Sequence, residues 1–392
     1  MNWPLMDNNI TKEDRKKLIE FLNSDQRLTT GTQVKNFEKS WSEWLGSEYS
    51  SVMVNSGSSG NHISIGNLGL ATSKDVIVVS PLGWVSDIIS ILSWGYEPIF
   101  VDIDPDTLSL DVEKTIETIH NLTKKGYNVK AIVLTHILGL VGINKKLLDF
   151  LKINKNITLI EDCCESYGAT FQNKKIGTFG DLSVFSFYFG HHLSTIEGGM
   201  VCSNSKNVDT LKALRNHGMI RDCSTNFKNK IIDENPDLSS DFIFTHRGMN
   251  LRPTELHGVL GQSQLTNLDT NNNIRVANFK IWLSNLNSNV YKTDYYTDGN
   301  CNYAMLLQLK TPDDILMSKV MNYLHENKIE FRRGFSGGGN QLRQPYLKNI
   351  VNFDSKDFRK VEHVHFYAMY LGNYPTLDQN KIFELTQKLN KL

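Results

Sequence analysis

Two adjacent histidines, His191 and His192, follow Ser186-Phe187-Tyr188-Phe189-Gly190 and precede Leu193-Ser194-Thr195-Ile196-Glu197-Gly198-Gly199. An imidazole can take up and release a proton near neutral pH. It cannot, as a lysine amine can, hold an aldehyde in a stable Schiff base. Alone, a His-His pair is usually a surface or internally satisfied pair, and a metal would need further ligands. Upstream, Ile160-Glu161-Asp162-Cys163-Cys164-Glu165-Ser166-Tyr167-Gly168-Ala169 places carboxylates at the end of an apolar run, where Asp162 by itself reads as a helix N-cap. Asn55-Ser56-Gly57-Ser58-Ser59-Gly60-Asn61 is a small-residue turn opening a helix. Its free amides and the helix dipole suit a phosphate, although any capped helix uses the same residues. Trp84, in Ser80-Pro81-Leu82-Gly83-Trp84-Val85-Ser86, either stacks on a ligand or fills core.

These residues must be positioned by a sheet. From about residue 50 to 205, short β-rich runs alternate with helix-length segments: 52–54, 76–79, 98–101, 131–134, 158–160, 183–186 and 200–202 as strands, with 86–92, 110–124 and 145–152 among the helices. The runs are continuously apolar, as expected for strands covered on both faces. That order predicts an α/β fold with a mainly parallel central sheet. After about residue 265 the chain becomes rich in Asn, Lys and Asp, with strands expected at 303–307 and 329–332 and helices at 315–326 and 378–392. The expected division is a large domain over 1–265, with an N-terminal helical segment, and a smaller C-terminal α+β domain over 266–392.

The His191 run resembles the cofactor-lysine segment of the DegT/DnrJ/EryC1/StrS sugar aminotransferases, fold type I enzymes that use pyridoxal 5′-phosphate (PLP). In that family Ser-Phe is followed by three residues, Lys-Asn-Leu-Thr-Thr, one residue and Glu-Gly-Gly. His191 stands at the lysine position, while Leu193, Thr195, Glu197, Gly198 and Gly199 keep the register. His192 replaces the usual asparagine. The resemblance implies that Gly57, Ser58 and Ser59 bind the PLP phosphate, chiefly through the Ser58 and Ser59 amides, with Ser186. It implies that Trp84 stacks on the ring and that Asp162 keeps the ring nitrogen protonated; Glu165 stands where the family often has glutamine. In the stretch Arg247–Gly258, Asn250 matches an asparagine that reaches the neighbouring subunit's cofactor, which implies a homodimer with shared sites; Pro253 departs from the usual methionine. The stretch 214–221 matches an Arg-x-His-Gly element, and His217 and Arg221 in it are candidates near the substrate or surface residues, Arg221 suiting a phosphate or a carboxylate. Arg333, ahead of Gly337-Gly338-Gly339, is a substrate-closing candidate or part of a solvated turn.

With histidine in place of lysine, the resemblance implies dehydration rather than amino transfer. The expected reaction is PLP- and pyridoxamine-phosphate (PMP)-dependent removal of the C3 hydroxyl of a nucleotide 4-keto-6-deoxy sugar of the GDP-mannose series. L-glutamate would be the amino donor, with ammonia and 2-oxoglutarate released. His191 would be the catalytic acid and base. Three other readings stay open: a CDP-sugar 3-dehydratase needing a reductase, an aminotransferase whose lysine has moved to Lys174 or Lys175, and a non-catalytic binding protein.

The chain of 392 residues carries 42 Lys+Arg and 42 Asp+Glu, a net charge of zero that offers no electrostatic reason to expect nucleic acid or an anionic membrane as partner. The first residues lack the basic start and apolar run of a signal peptide, and no apolar stretch is long enough for a membrane span. Five cysteines at irregular spacing, with no Cys-x-x-Cys pair, suggest neither a disulfide framework nor a zinc or iron–sulfur site, and point to a reducing cytoplasm.

Overall fold

The structure, a computed structural model, describes residues 2–46, 48–204 and 208–392. Its first large element is a sheet of seven strands: β1 (Ser50–Val54), β2 (Asp75–Val79), β3 (Glu97–Phe100), β4 (Asn128–Thr135), β5 (Thr158–Asp162), and, after a small ribbon of β6 (Thr170–Phe171) and β7 (Lys174–Lys175), β8 (Leu182–Ser186) and β9 (Gly199–Ser203). The order across the sheet is β1-β9-β8-β5-β4-β2-β3. The pairs from β8 through β5, β4 and β2 to β3 are parallel, whereas β9 runs antiparallel to both β8 and β1. Each strand expected from the apolar runs is present, and the fold is the expected α/β sheet.

The continuous apolar runs are explained by burial on both faces. Successive side chains of a strand point to opposite sides. Val76, Val78, Ile132, Leu134, Leu159 and Phe185 pack into one core with Phe37 and Trp41 of helix α2 (Thr32–Leu45), which follows α1 (Lys12–Leu22). Their neighbours Ile77, Val79, Ala131, Val133, Ile160 and Val184 pack into a second core. That core also holds Ile63 of α3 (Gly57–Gly66) and Ile88 and Ile91 of α4 (Val85–Ser93). Helices α5 (Val112–Lys124) and α6 (Lys145–Ile153) join β3 to β4 and β4 to β5.

Past β9 come α7 (Val208–Arg215), α8 (Thr225–Glu234), α9 (Glu255–Leu265) and the long α10 (Leu268–Asn285). A second sheet has three antiparallel strands in the order β10-β12-β11: β10 (Ala304–Gln308), β11 (Phe331–Arg333) and β12 (Ala368–Gly372), with α11 (Asp314–Glu326), α12 (Arg359–Tyr367) and α13 (Gln379–Leu389). The middle strand, β12, follows α12 with no Gly or Pro between them, so no turn residue marked it in the sequence. The expected strand at 329–332 lies slightly later, at 331–333, because Ile329 instead bridges to Trp3. Trp3 is fully buried and donates from Nε1 to the Gly372 carbonyl at 2.9 Å, so the N-terminal segment is tied to the second sheet.

All five cysteines are free. No helix among the described residues is long and apolar enough to cross a membrane.

Candidate functional site

The C-terminal ends of the parallel strands gather the polar segments at one edge of the sheet, where open α/β sheets form their binding crevice. Strand β5 ends at Asp162, β4 at Thr135, β8 at Ser186, and β2 leads to Trp84. Strand β1, antiparallel to β9, pairs Val54 with Gly199, and Gly199 also pairs with Ser186, so the turn after β1 lands beside Ser186.

That turn starts α3. Ser56 is its N-cap, its Oγ accepting from the Ser59 amide at 3.1 Å, while Ser59 Oγ donates to Asn55 Oδ1 at 2.5 Å. The Ser59 amide is therefore already engaged; the amides of Gly57 and Ser58, one and two residues into the helix, precede any intrahelical acceptor and are free to meet an anion. The helix end is pressed against β8. A Cβ on Gly57 would lie 2.7 Å from Ser186 Cβ and 3.1 Å from both Ser186 Oγ and Cys164 Sγ. Glycine at 57 is what lets the turn, Ser186 and the segment after Asp162 meet.

Asp162 is 3% exposed, with Oδ2 accepting from Asn61 Nδ2 at 2.8 Å and Oδ1 from the Cys164 amide at 2.9 Å. It caps a turn rather than a helix, since residues 163–168 form no helix. Asn61, inside α3, and Asp87, in the first turn of α4, were not singled out from the sequence; Asp87 beside Ile88 and Ile89 was the available signal, an acid in an apolar helix. Glu165 accepts from the Leu138 amide at 2.9 Å and from Ser336 Oγ at 3.1 Å. Burial pushes its carboxyl up to about 7. Ser336 begins the loop that carries Gly337, Gly338 and Gly339, all with left-handed φ, and this loop sits on Pro81 and Gly83.

The two histidines have separate environments. His192 Nε2 bonds the Cys301 carbonyl at 3.1 Å and its ring lies 4.8 Å from that of Tyr167. His191 packs its ring 5.2 Å from Tyr303, and its Nδ1, like that of His192, is buried with no partner. Burial lowers the His191 imidazole to about 4, a pull that Asp162 and a contact with the Cys164 backbone oppose and Arg275 reinforces. At neutral pH it is uncharged and has a lone pair to offer. Arg275 is 3% exposed and donates only to backbone carbonyls, of Tyr303 and Asn373.

The remaining expected residues are distributed as follows. Trp84, the N-cap residue of α4, is 53% exposed, so it is not core. Asn250, His217, Arg221 and Arg333 are all exposed. Asn250 bridges Asn216 through the backbone, and His217, at φ 61°, donates its amide to Met249. The Arg221 guanidinium lies 5.9 Å from the Phe242 ring, and Arg333 donates to the Phe366 carbonyl at 3.4 Å. None of the four bonds a member of the buried cluster. Lys175 Nζ is held by the Trp44 carbonyl at 2.7 Å and by the Trp44 ring, away from the site, with Lys174 beside it on β7.

Among the described residues, His136, Glu161 and Cys163 form one group of metal-ligand type. Its atoms are already paired. His136 Nδ1 accepts from the Gly142 amide, leaving Nε2 to donate to Glu161, whose oxygens also take the amides of Gly177, Phe179 and Gly180. This network shapes the 177–180 turn. By contrast, free amides at a helix start, a buried carboxylate, an exposed indole and an unpartnered imidazole atom fit a flat, phosphorylated, nitrogen-bearing ring such as PLP.

The sequence profile of the DegT/DnrJ/EryC1/StrS aminotransferase family matches residues 8–390. GDP-4-keto-6-deoxy-D-mannose 3-dehydratase of Escherichia coli O55:H7 is 28% identical over 394 residues, covering 95% of this chain and 96% of that protein. GDP-perosamine synthase of Escherichia coli O157:H7 is 26% identical over 392 residues, covering 99% and 98%. A crystal structure of GDP-4-keto-6-deoxymannose-3-dehydratase with a trapped PLP-glutamate geminal diamine superposes with a TM-score of 0.85 at 26% identity, covering 99% of this chain and 100% of that one.

Proposed function

This chain belongs to the DegT/DnrJ/EryC1/StrS aminotransferase family, and on that footing we propose that it is a PLP/PMP-dependent lyase acting at C3 of a nucleotide-linked 4-keto-6-deoxy sugar. The sugar is of the GDP-mannose series, the series named in similar dehydratases. The amino donor is L-glutamate, consistent with the glutamate adduct trapped in the similar crystal structure. Ammonia and 2-oxoglutarate are the co-products. One observation carries the reading: the position that holds lysine in aminotransferases is filled by His191, a partly buried, neutral imidazole whose Nδ1 is enclosed without a partner.

Bound as PMP, the cofactor supplies an amine for the sugar ketone and a ring able to take up electrons. The chain does the rest. The Gly57 and Ser58 amides with Ser186 hold the phosphate, and Trp84 covers one face of the ring. Asp162, fixed by Asn61 and the Cys164 amide, keeps the ring nitrogen protonated. His191 would serve as the base that removes a proton beside the bound amine and as the acid that protonates the departing C3 hydroxyl. A homodimer is part of the proposal: Asn250 is exposed on its own chain, as a residue serving a partner's site would be, while His217 and Arg221 are proposed to meet the substrate. Arg333 is proposed to meet the substrate from the second sheet, and a cytoplasmic setting suits five free cysteines.

An aminotransferase reading is disfavoured because Lys175 is bound at Trp44. The test is incubation with PLP, L-glutamate and GDP-4-keto-6-deoxymannose, following sugar mass and ammonia together. Loss of one oxygen with ammonia release is the expected result. A sugar that gains an amino group overturns it, and 2-oxoglutarate without a changed sugar means a different nucleotide sugar.

A further inference from the structure

Asp87 is a buried acid that the chemistry above does not use. It is 2% exposed, its Oδ1 accepting from Asn61 Nδ2 at 2.7 Å and its Oδ2 lying 2.9 Å from Thr135 Oγ1. The same Asn61 amide group donates to Asp162 at 2.8 Å. One carboxamide thus bridges two buried carboxylates. The titratable groups facing the pair among the described residues are Cys163, Cys164 and Glu165 after β5, His191 after β8 and Tyr346 on the turn Pro345–Leu347; none is a lysine or arginine. Two negative charges cannot be held so close in a buried, cation-free setting, so the pair retains a proton.

The donors decide where it sits. The Asp162 oxygens accept from the Asn61 and Cys164 N–H groups, which only donate, and also meet the Asp87 carboxyl and the Cys164 thiol, from which they can likewise accept. Asp87 Oδ2 faces a hydroxyl, which accepts as readily as it donates. A carboxyl O–H can be placed there without setting two donors against each other. Burial and the neighbouring Asp162 push the Asp87 carboxyl well above its ordinary range, in the same sense. The start of α4 favours an anion at Asp87, a weaker effect than a second buried charge.

We propose that Asp87, carrying a proton, is the positioning residue for Asp162: it anchors Asn61, whose second N–H fixes Asp162 as the single negative charge offered to a cationic ring nitrogen. What Asp162 faces rests on the function proposed above; the proton-holding pair is a property of the cofactor-free protein.

The experiment compares cofactor-free wild type, Asp87→Asn and Asp87→Leu. In the infrared difference between wild type and D87N at neutral pH, the carbonyl stretch of a buried carboxylic acid should remain, since any acid band of Glu165, raised to about 7, is common to both proteins and cancels. Thermal unfolding supplies the second reading. A carboxyl raised in the folded state stabilises at acid pH, and that contribution is lost as pH rises through the folded value. D87N should therefore gain stability relative to wild type as the medium turns alkaline. With PLP added, D87N should bind close to wild type, whereas D87L, which frees Asn61, should bind about tenfold more weakly. Absence of the acid band from that difference, or a D87N penalty that grows with pH, overturns the proton assignment. Equal loss of PLP by D87N and D87L overturns the positioning role. If the band and the pH trend appear but wild type fails to bind PLP, the pair stands and the cofactor reading falls.

Discussion

Replacing His191 by asparagine tests the central claim, that burial keeps this imidazole uncharged. Its ordinary value of 6.5 falls to about 4 in the folded protein. That difference corresponds to about 3 kcal/mol between the two protonation states. Between those pH values the unfolded chain binds a proton at His191 that the folded chain refuses. His191 therefore costs no stability above pH 6.5 and progressively more as pH falls toward 4. Cofactor-free wild type and His191→Asn should be unfolded in urea from neutrality down toward that lower value. The stability of wild type relative to the variant should drop by about 3 kcal/mol across the window. His192, which burial, Arg275 and His191 itself also hold low, is present in both proteins, so its contribution differs only through the loss of His191. The same property places the acid limb of kcat/KM, if set by His191, nearer 4 than 6.5. The variant should retain PLP and lose dehydration. A wild type–variant difference that does not change with pH, or an imidazole NMR signal titrating near 6.5, would refute the reasoning.

His191→Lys should attach PLP covalently, read as absorbance in the visible that sodium borohydride abolishes; no such band would mean that residue 191 does not face the aldehyde. Gly57→Ala forces a Cβ to within 2.7 Å of Ser186 Cβ, so the start of α3 must withdraw by several tenths of an ångström. PLP affinity should fall by roughly tenfold or more, with about 1–3 kcal/mol of stability lost to overpacking, measured by dialysis and thermal melting. Trp84→Ala should weaken PLP binding while leaving the cofactor-free melting temperature near wild type, because the indole is 53% exposed and contributes little to the core.

Local pattern carried much of this protein. The apolar runs that became β1, β2, β3, β4, β5, β8 and β9 were legible because strands buried on both faces need them. The register of Ser186, His191 and Gly199 is a property of the chain alone, and so was the loss of the lysine. The pairing of Trp3 with Ile329 and Gly372 was not legible, since it joins the two ends of the chain. Nor was the bridge from Asn61 to Asp87 and Asp162, residues 26 and 101 positions away. The histidine pair shows the division most directly. The sequence determined that two imidazoles stand at 191 and 192. Only the tertiary structure tied His192 to the Cys301 carbonyl and set His191 beside Tyr303, each with a buried Nδ1 left without a partner. Side-chain period and turn chemistry act over a few residues and can be read along the chain; protonation follows desolvation and neighbouring charge, which exist only once distant segments have packed together.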